Sequence, residues 1–295
     1  MTENFVLTCE STVNLPYAYM KERTIPVLFY SYNIDGVDYE EDMFKSGNKL
    51  NEFYSKIENG ALPTTSQLNA FSYLEFFEPI LEKGNILHIA FGSGMTQSVN
   101  NAVIAANELM EKYPDKKIIV IDSTCSCAGY GLLVDYAADM RDDGKSMEEI
   151  FKWVEDNKRK IHHQFFCSDL KFFKRSGRVS GAAAAVATVL GICPIMHLNY
   201  DGKIVAYSKA RGKKSAIETT IKEMLSHAQN GKDYNGKCYL VHSHNLVDAN
   251  ETKAQIESAF KNLKGKIKVI EIGEIIASHC GIGTVATFFL GDERK

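Results

Sequence analysis

No charge of one sign dominates this chain: 34 Lys and Arg stand against 37 Asp and Glu, for a net charge of −3. A field that weak draws the protein to neither nucleic acid nor an anionic membrane surface. Long hydrophobic runs are also missing. The longest weakly polar stretch, residues 181–198, is rich in Ala and broken by Thr188, Pro194 and His197. It suits a buried helix followed by a buried strand better than a membrane span. The start, Met1-Thr2-Glu3-Asn4-Phe5-Val6-Leu7, lacks the basic flank and apolar core of a signal peptide. The seven cysteines (Cys9, Cys125, Cys127, Cys167, Cys193, Cys238 and Cys280) are odd in number and widely scattered. A disulfide framework is therefore not expected, and a cytoplasmic protein with reduced thiols is.

What is present is an ordinary globular composition, 45% hydrophobic and 24% charged over 295 residues, a length comfortable for two domains. In the first half, strand-like segments at 5–9, 24–32, 85–91 and 117–122 alternate with helical ones at 50–57, 68–81, 99–111 and 128–139, with a loop at 61–67. Asp35-Gly36 marks a short hairpin. This rhythm predicts an α/β domain with a parallel sheet and helices on both faces. Ser146-Met147-Glu148-Glu149 is a capping box for a helix over 147–160, and the domain boundary is placed there, giving domains 1–150 and 151–295. The second half predicts strands at 163–168, 193–199, 204–209, 237–242, 268–272 and 284–290, and helices at 169–173, 180–190, 213–229 and 250–263. Asp201-Gly202 is a tight hairpin turn inside this pattern, so a mixed sheet is expected.

The segment most suggestive of chemistry is Gly92-Ser93-Gly94-Met95-Thr96-Gln97-Ser98, which joins an apolar strand to a long helix. Free N–H groups at a helix start, beside Ser93, Thr96 and Ser98, suit an anionic oxygen. The loop has no Lys or Arg, which favours a carboxylate held by neutral donors over a polyphosphate. It lacks the last Gly of a dinucleotide loop and the Gly-Lys-Ser/Thr ending of a P-loop. Thr65 and Ser66 read equally well as a helix N-cap or as ligand contacts. Ser123, after the strand ending at Asp122, reads first as an N-cap, with a ligand role as the alternative. Residues 174–180, Lys-Arg-Ser-Gly-Arg-Val-Ser, form a basic loop that is either solvated or in contact with an acidic group. Arg211, Lys213 and Lys214 form a second basic knot, with the two lysines at a helix start where cations are unfavourable. His279 stands beside Gly281 and Gly283 and is the histidine favoured for function. His162-His163 and His242-Ser243-His244 are pairs without zinc spacing, so no metal site is expected. Alternation in a strand would put His242 and His244 on one face.

Seven segments in register resemble the DegV family of bacterial fatty-acid-binding proteins, nearly end to end. They are Glu10-Ser11-Thr12-Val13-Asn14-Leu15-Pro16; Thr65-Ser66-Gln67; the 92–98 loop; Ile121-Asp122-Ser123; the 174–180 loop; Pro194-Ile195 with Asp201-Gly202-Lys203 and Arg211; and His279-Cys280-Gly281-Ile282-Gly283. The chain departs from the family pattern at Glu10 and Asn14 (each for Asp), Leu68 (for Pro), Gln97 (for Gly) and Ile282 (for Pro). The resemblance implies two α/β domains of the EDD fold with one long-chain fatty acid, of the palmitate type, buried between them. It implies that Thr65 and a hydroxyl of the second loop, Thr96 or Ser93, hold the carboxylate, with Ser66, Gly94, Ser123 and His279 around it. Some members present the acyl chain to a separate fatty acid kinase subunit, and Arg211 and His279 match positions linked to that step. The expectation is thus a lipid carrier without catalytic residues, cofactor, nucleic-acid partner or membrane span, though transient membrane contact is compatible with it. The alternative is an acyl hydrolase or transferase using His279 with a Thr or Ser nucleophile.

Overall fold

The computed structural model describes residues 4–179 and 191–295. The helix expected at 180–190 lies outside the described residues, as does most of the run at 181–198. The strands are β1 (Phe5–Glu10), β2 (Val27–Leu28), β3 (Ser31–Ile34), β4 (Val37–Glu40), β5 (Thr64–Ser66), β6 (Asn85–Ala90), β7 (Ile118–Asp122), β8 (Ile161–Phe166), β9 (Ile192–Leu198), β10 (Ile204–Arg211), β11 (Cys238–His242), β12 (Lys268–Glu271) and β13 (Val285–Leu290). The helices are α1 (Tyr17–Glu22), α2 (Lys49–Glu58), α3 (Ala70–Leu81), α4 (Ser98–Lys112), α5 (Cys127–Asp142), α6 (Met147–Asn157), α7 (Lys171–Arg175), α8 (Lys213–His227), α9 (Leu246–Ala259) and α10 (Glu274–Cys280).

Strands β2-β1-β6-β7 form a parallel sheet, and β10-β9-β8-β13-β11-β12 a mixed one whose only parallel pair is β11–β12. A third, small antiparallel sheet has the order β4-β3-β5. The protein is therefore α/β, with a parallel-sheet part and a mixed-sheet part. The central strands β8 and β11 are buried at every residue, with helices packed on them; in β8 this buries His162, His163 and Gln164 as well as the apolar residues. In the edge strand β10 only Ala210 is fully buried.

One hydrophobic core joins the two parts: Leu7, Ile89 and Tyr130 belong to the same cluster as Phe165, Val241 and Phe288. Helix α5 makes the junction, packing against β8, β11 and β13. A second cluster around Ile195, Ile217, Leu240 and Phe289 lies on the other side of the mixed sheet. The capping box at α6 forms as expected: Glu149 N–H donates to Ser146 Oγ at 3.2 Å, and Ser146 N–H donates to the Glu149 carboxylate at 2.9 Å.

Several elements differ from the sequence expectation, among them the short helix α1, where none is expected. The strand expected at 24–32 is two pieces: β2 pairs with β1, and β3 pairs with β4 and β5. The chain changes sheets at Phe29-Tyr30, just after Pro26 has removed a ladder donor. The loop expected at 61–67 contains β5, which exists only through its pairing with β3; three hydroxyl residues carry no apolar alternation. Residues 274–280 are helix α10 rather than a link between strands. Ile275 and Ile276 argue against a helix locally, but Glu274 in the first turn and Gly281 after the last are its start and stop signals.

Candidate acyl-sized cavity at the junction of the sheets

A cavity of about 490 Å³ lies where the sheets meet, within the roughly 300–1,000 Å³ of small-molecule sites. Both parts of the molecule build it. Its apolar lining includes Phe91, Phe165, Val241, Ile275, Ala286 and Phe288, and its polar lining Thr12, Thr65, Ser93, Thr96, Arg178 and His279.

Thr65 and His279 are 214 residues apart in sequence, yet Thr65 Oγ1 lies 2.8 Å from His279 Nε2. Thr65 stands on β5 opposite Tyr32 of β3, and His279 on the last turn of α10. Arg175 joins the two segments: its guanidinium donates to the carbonyls of Pro63 at 2.5 Å and Ser278 at 3.3 Å. Helix α10 stops at Gly281, whose φ is +66° and where a Cβ would lie 2.5 Å from the Phe172 ring. A side chain there would meet both strain and collision.

Burial pushes the His279 pKa down to about 3, and the nearby Arg178 and Arg175 guanidinium groups push the same way. The ring is thus neutral at physiological pH. Among the described residues its Nδ1 is buried without a hydrogen-bond partner, as is Thr12 Oγ1. Arg178 lines the cavity and its own pKa is lowered by burial. Because the folded state holds His279 below its unfolded value near 6.5, the unfolded chain takes up this proton first as pH falls. Its contribution is complete above pH 6.5 and is lost between there and about pH 3. We predict that His279→Gln flattens this part of the stability profile in urea titrations from pH 7 to 4; an unchanged slope would contradict the buried neutral ring.

The structure gathers Thr65, Ser66, Ser93, Gly94, Thr96 and His279 around the cavity. Within the second loop, Thr96 Oγ1 accepts from Ser98 N–H at 3.2 Å and lies 3.0 Å from Ser98 Oγ. Ser98 itself is buried and accepts from Leu68 N–H, tying this loop to the first. The Ser93 N–H donates to the Asp122 carboxylate at 3.0 Å. Gly94 is required by close approach: a Cβ there would lie 2.4 Å from the Gly202 carbonyl oxygen of the β9–β10 turn.

Other expectations are corrected. Ser123 does not line the cavity; it is fully buried and its hydroxyl accepts from Cys125 N–H at 3.1 Å, shaping the turn into α5. Arg211 is different: it is expected to serve a partner and not the cavity, and it is exposed at the end of β10, outside the cavity lining. His242 and His244 do not share a strand face, since His244 lies beyond β11 with φ of +49°. The cavity is also not lined by neutral donors alone, because Arg178 reaches it from the basic loop. Thr12 and Arg178 lie in two of the segments that resemble the family, and only the fold shows that they turn inward.

The site is thus a mostly apolar cavity, walled by two sheets of one α/β chain and carrying a hydroxyl–imidazole pair. The chain belongs to the DegV family, whose model, described as an uncharacterised protein, matches residues 4–292. A DegV domain-containing protein of Clostridium perfringens is 38% identical over 294 residues, 99% of each chain. Among solved structures, a DegV family protein from Thermus thermophilus described by its fatty acid binding is 25% identical with a TM-score of 0.86, covering 98% of this chain and 100% of that one. A family member from Eubacterium eligens loaded with heptadecanoic acid has a TM-score of 0.83 at 20% identity, over 98% and 100% of the two chains. No helix among the described residues is long and apolar enough to cross a membrane.

Proposed function

We propose that this chain binds one long-chain fatty acid in the cavity and acts as a cytoplasmic lipid carrier. The observation that carries this reading is a pair of buried polar atoms without a partner among the described residues, Thr12 Oγ1 and His279 Nδ1, in residues that wall a largely apolar space. Each such atom costs about 1–3 kcal/mol unless a partner meets it. The Thr65–His279 pair owns two protons and uses one between its members. In either ring tautomer one proton is left for a carboxylate oxygen, and Arg178 adds the counter-charge. The fatty-acid binding of the Thermus thermophilus relative supports the same assignment. Apolar burial supplies affinity, about 0.8 kcal/mol per methylene and on the order of 10 kcal/mol for a long chain before ordering costs.

Catalysis by His279 is disfavoured. A general base works best with a pKa near the operating pH and a third group to orient it, whereas this ring is held near pKa 3 and its second nitrogen has no partner among the described residues. The two domains are 1–150 and 151–295, sharing one core. The carrier presents its acyl head to a separate kinase subunit for acyl-phosphate formation, with Arg211 contacting that subunit and His279 holding the head group.

Titration of delipidated protein with a fluorescent fatty acid tests the site. Thr65→Ala and Thr96→Ala are expected to weaken binding roughly tenfold, as for loss of a hydrogen bond to a charged group of about 1.5 kcal/mol, and Ser123→Ala far less. Equal affinities in the three variants would refute the assignment. Arg211→Ala is expected to retain lipid yet fail in acyl-phosphate formation with a cognate kinase; loss of lipid would overturn that division of roles.

A further inference from the structure

On the face of the mixed sheet away from the cavity, three side chains from distant parts of the chain converge. His162 comes from β8, His227 from the last residue of α8, and Asp292 from the segment after β13. His162 Nε2 lies 3.0 Å from Asp292 Oδ1 and 3.0 Å from the Asp292 carbonyl oxygen. His227 Nδ1 lies 3.0 Å from Asp292 Oδ1 and 3.2 Å from Oδ2. All three ligand atoms fall within 4.8 Å of one another. The fatty-acid reading uses none of them.

We propose that His162, His227 and Asp292 form a binding site for a borderline divalent cation such as Zn²⁺. Two imidazole nitrogens and a carboxylate are the donor set such ions prefer over Mg²⁺ or Ca²⁺. Bonds of about 2.0–2.1 Å in a tetrahedral arrangement place donors about 3.3 Å apart. The observed 3.0–3.2 Å contacts to Asp292 are within a few tenths of an ångström of that, and Asp292 is the member with freedom to adjust, at 58% side-chain exposure. The buried member is already rigid: the His162 ring stacks on Phe289 and His227, with centroids 5.0 Å away in each case.

The surroundings supply the outer support that metal-binding histidines use. Coordination through His227 Nδ1 leaves the ring proton on Nε2, which lies 3.5 Å from the Glu223 carboxylate, the carboxylate–histidine–metal arrangement. Exposure on the Asp292 side leaves room for water in the remaining positions. The ion would fasten the C-terminal segment to β8 and α8. Two residues further on, Arg294 donates to Thr124 Oγ1 and the Thr124 carbonyl, each at 2.9 Å, across the junction between the two sheets. A bound ion therefore stabilises the fold by mass action.

Calorimetric titration of the full chain with zinc chloride tests this, together with the absorption spectrum of the Co²⁺ form and thermal unfolding with and without zinc. One site per chain is expected, with a Co²⁺ spectrum of nitrogen and oxygen ligation. Affinity should fall at least about tenfold in His227→Ala and in Asp292→Ala, and hold in His244→Ala, which removes an exposed histidine elsewhere. Zinc should raise the unfolding temperature of the unmodified chain by several degrees and leave that of His227→Ala unmoved. Absence of saturable binding, thiolate bands in the Co²⁺ spectrum, or undiminished affinity in His227→Ala would each overturn the proposal. None of these results depends on whether the cavity holds a fatty acid.

Discussion

Ala286→Trp is expected to abolish fatty-acid binding while leaving a folded chain. Ala286 sits in the middle of β13, directly opposite Val241 of β11 and Phe165 of β8, and all three line the cavity. An indole grown from this position fills space that an acyl chain would occupy. Displacing five or six methylenes at about 0.8 kcal/mol each removes roughly 4–5 kcal/mol, a loss of about three orders of magnitude in affinity. The stability readout is independent of the binding one. In a solid interior the same change would overpack and cost about 1–3 kcal/mol or more, whereas in a cavity of about 490 Å³ it should be tolerated. Binding at the unmodified level would show that the acyl chain does not lie against this face of the sheet.

Glu10→Ala carries the largest expected effect on stability. Glu10 is fully buried at the end of β1, and its carboxylate accepts four hydrogen bonds. Tyr73 Oη donates at 2.5 Å and His88 Nε2 stands 3.3 Å away on one oxygen; Phe91 N–H donates at 3.0 Å and Tyr30 Oη at 3.2 Å on the other. Truncation removes the acceptor that these groups share, and breaking a buried network in this way costs about 3–5 kcal/mol. For a chain of this size that corresponds to roughly 10 °C in Tm. The effect should reach the cavity as well, because Tyr30 and Phe91 line it. Denaturant unfolding measures the change, with Glu10→Gln as an intermediate case. A loss under about 1 kcal/mol would mean that the donors find other partners and that Glu10 is no hub.

Much of this architecture is visible in the chain itself, where long periodic segments and capping chemistry agree. Helices α2, α4 and α8, strands β6 and β11, and the Asp35-Gly36 and Asp201-Gly202 turns stand within a few residues of their expected places. What local pattern does not carry is structure that exists only through partners. β5 is three hydroxyl residues held by β3, and α10 is seven residues whose apolar side meets the cavity wall through Ile275 and Ile276. The same reason limits the reading of the site. Thr65, Ser93, Thr96 and His279 could be picked out because hydroxyls and a histidine in glycine-rich loops are conspicuous. Arg178 looked like one of several cations in a solvated loop, and Ser123 looked available although its hydroxyl is committed to the Cys125 N–H. Asn14 is a further case: its side chain accepts from Gly273 N–H at 2.8 Å and donates to the Glu271 carbonyl at 3.1 Å, setting the entry to α10. An Asp at that position could not make the second of these bonds. The histidine cluster at Asp292 was invisible to motif spacing because its members are 65 and 130 residues apart.

The central claim is that the cavity is an acyl slot, and the most direct measurement is mass spectrometry of an organic extract from the purified chain, made under denaturing conditions and calibrated for stoichiometry. The account predicts one long-chain fatty acid per chain, lost from Ala286→Trp purified in parallel. A chain that yields no fatty acid, and takes none up when incubated with palmitate, would contradict it.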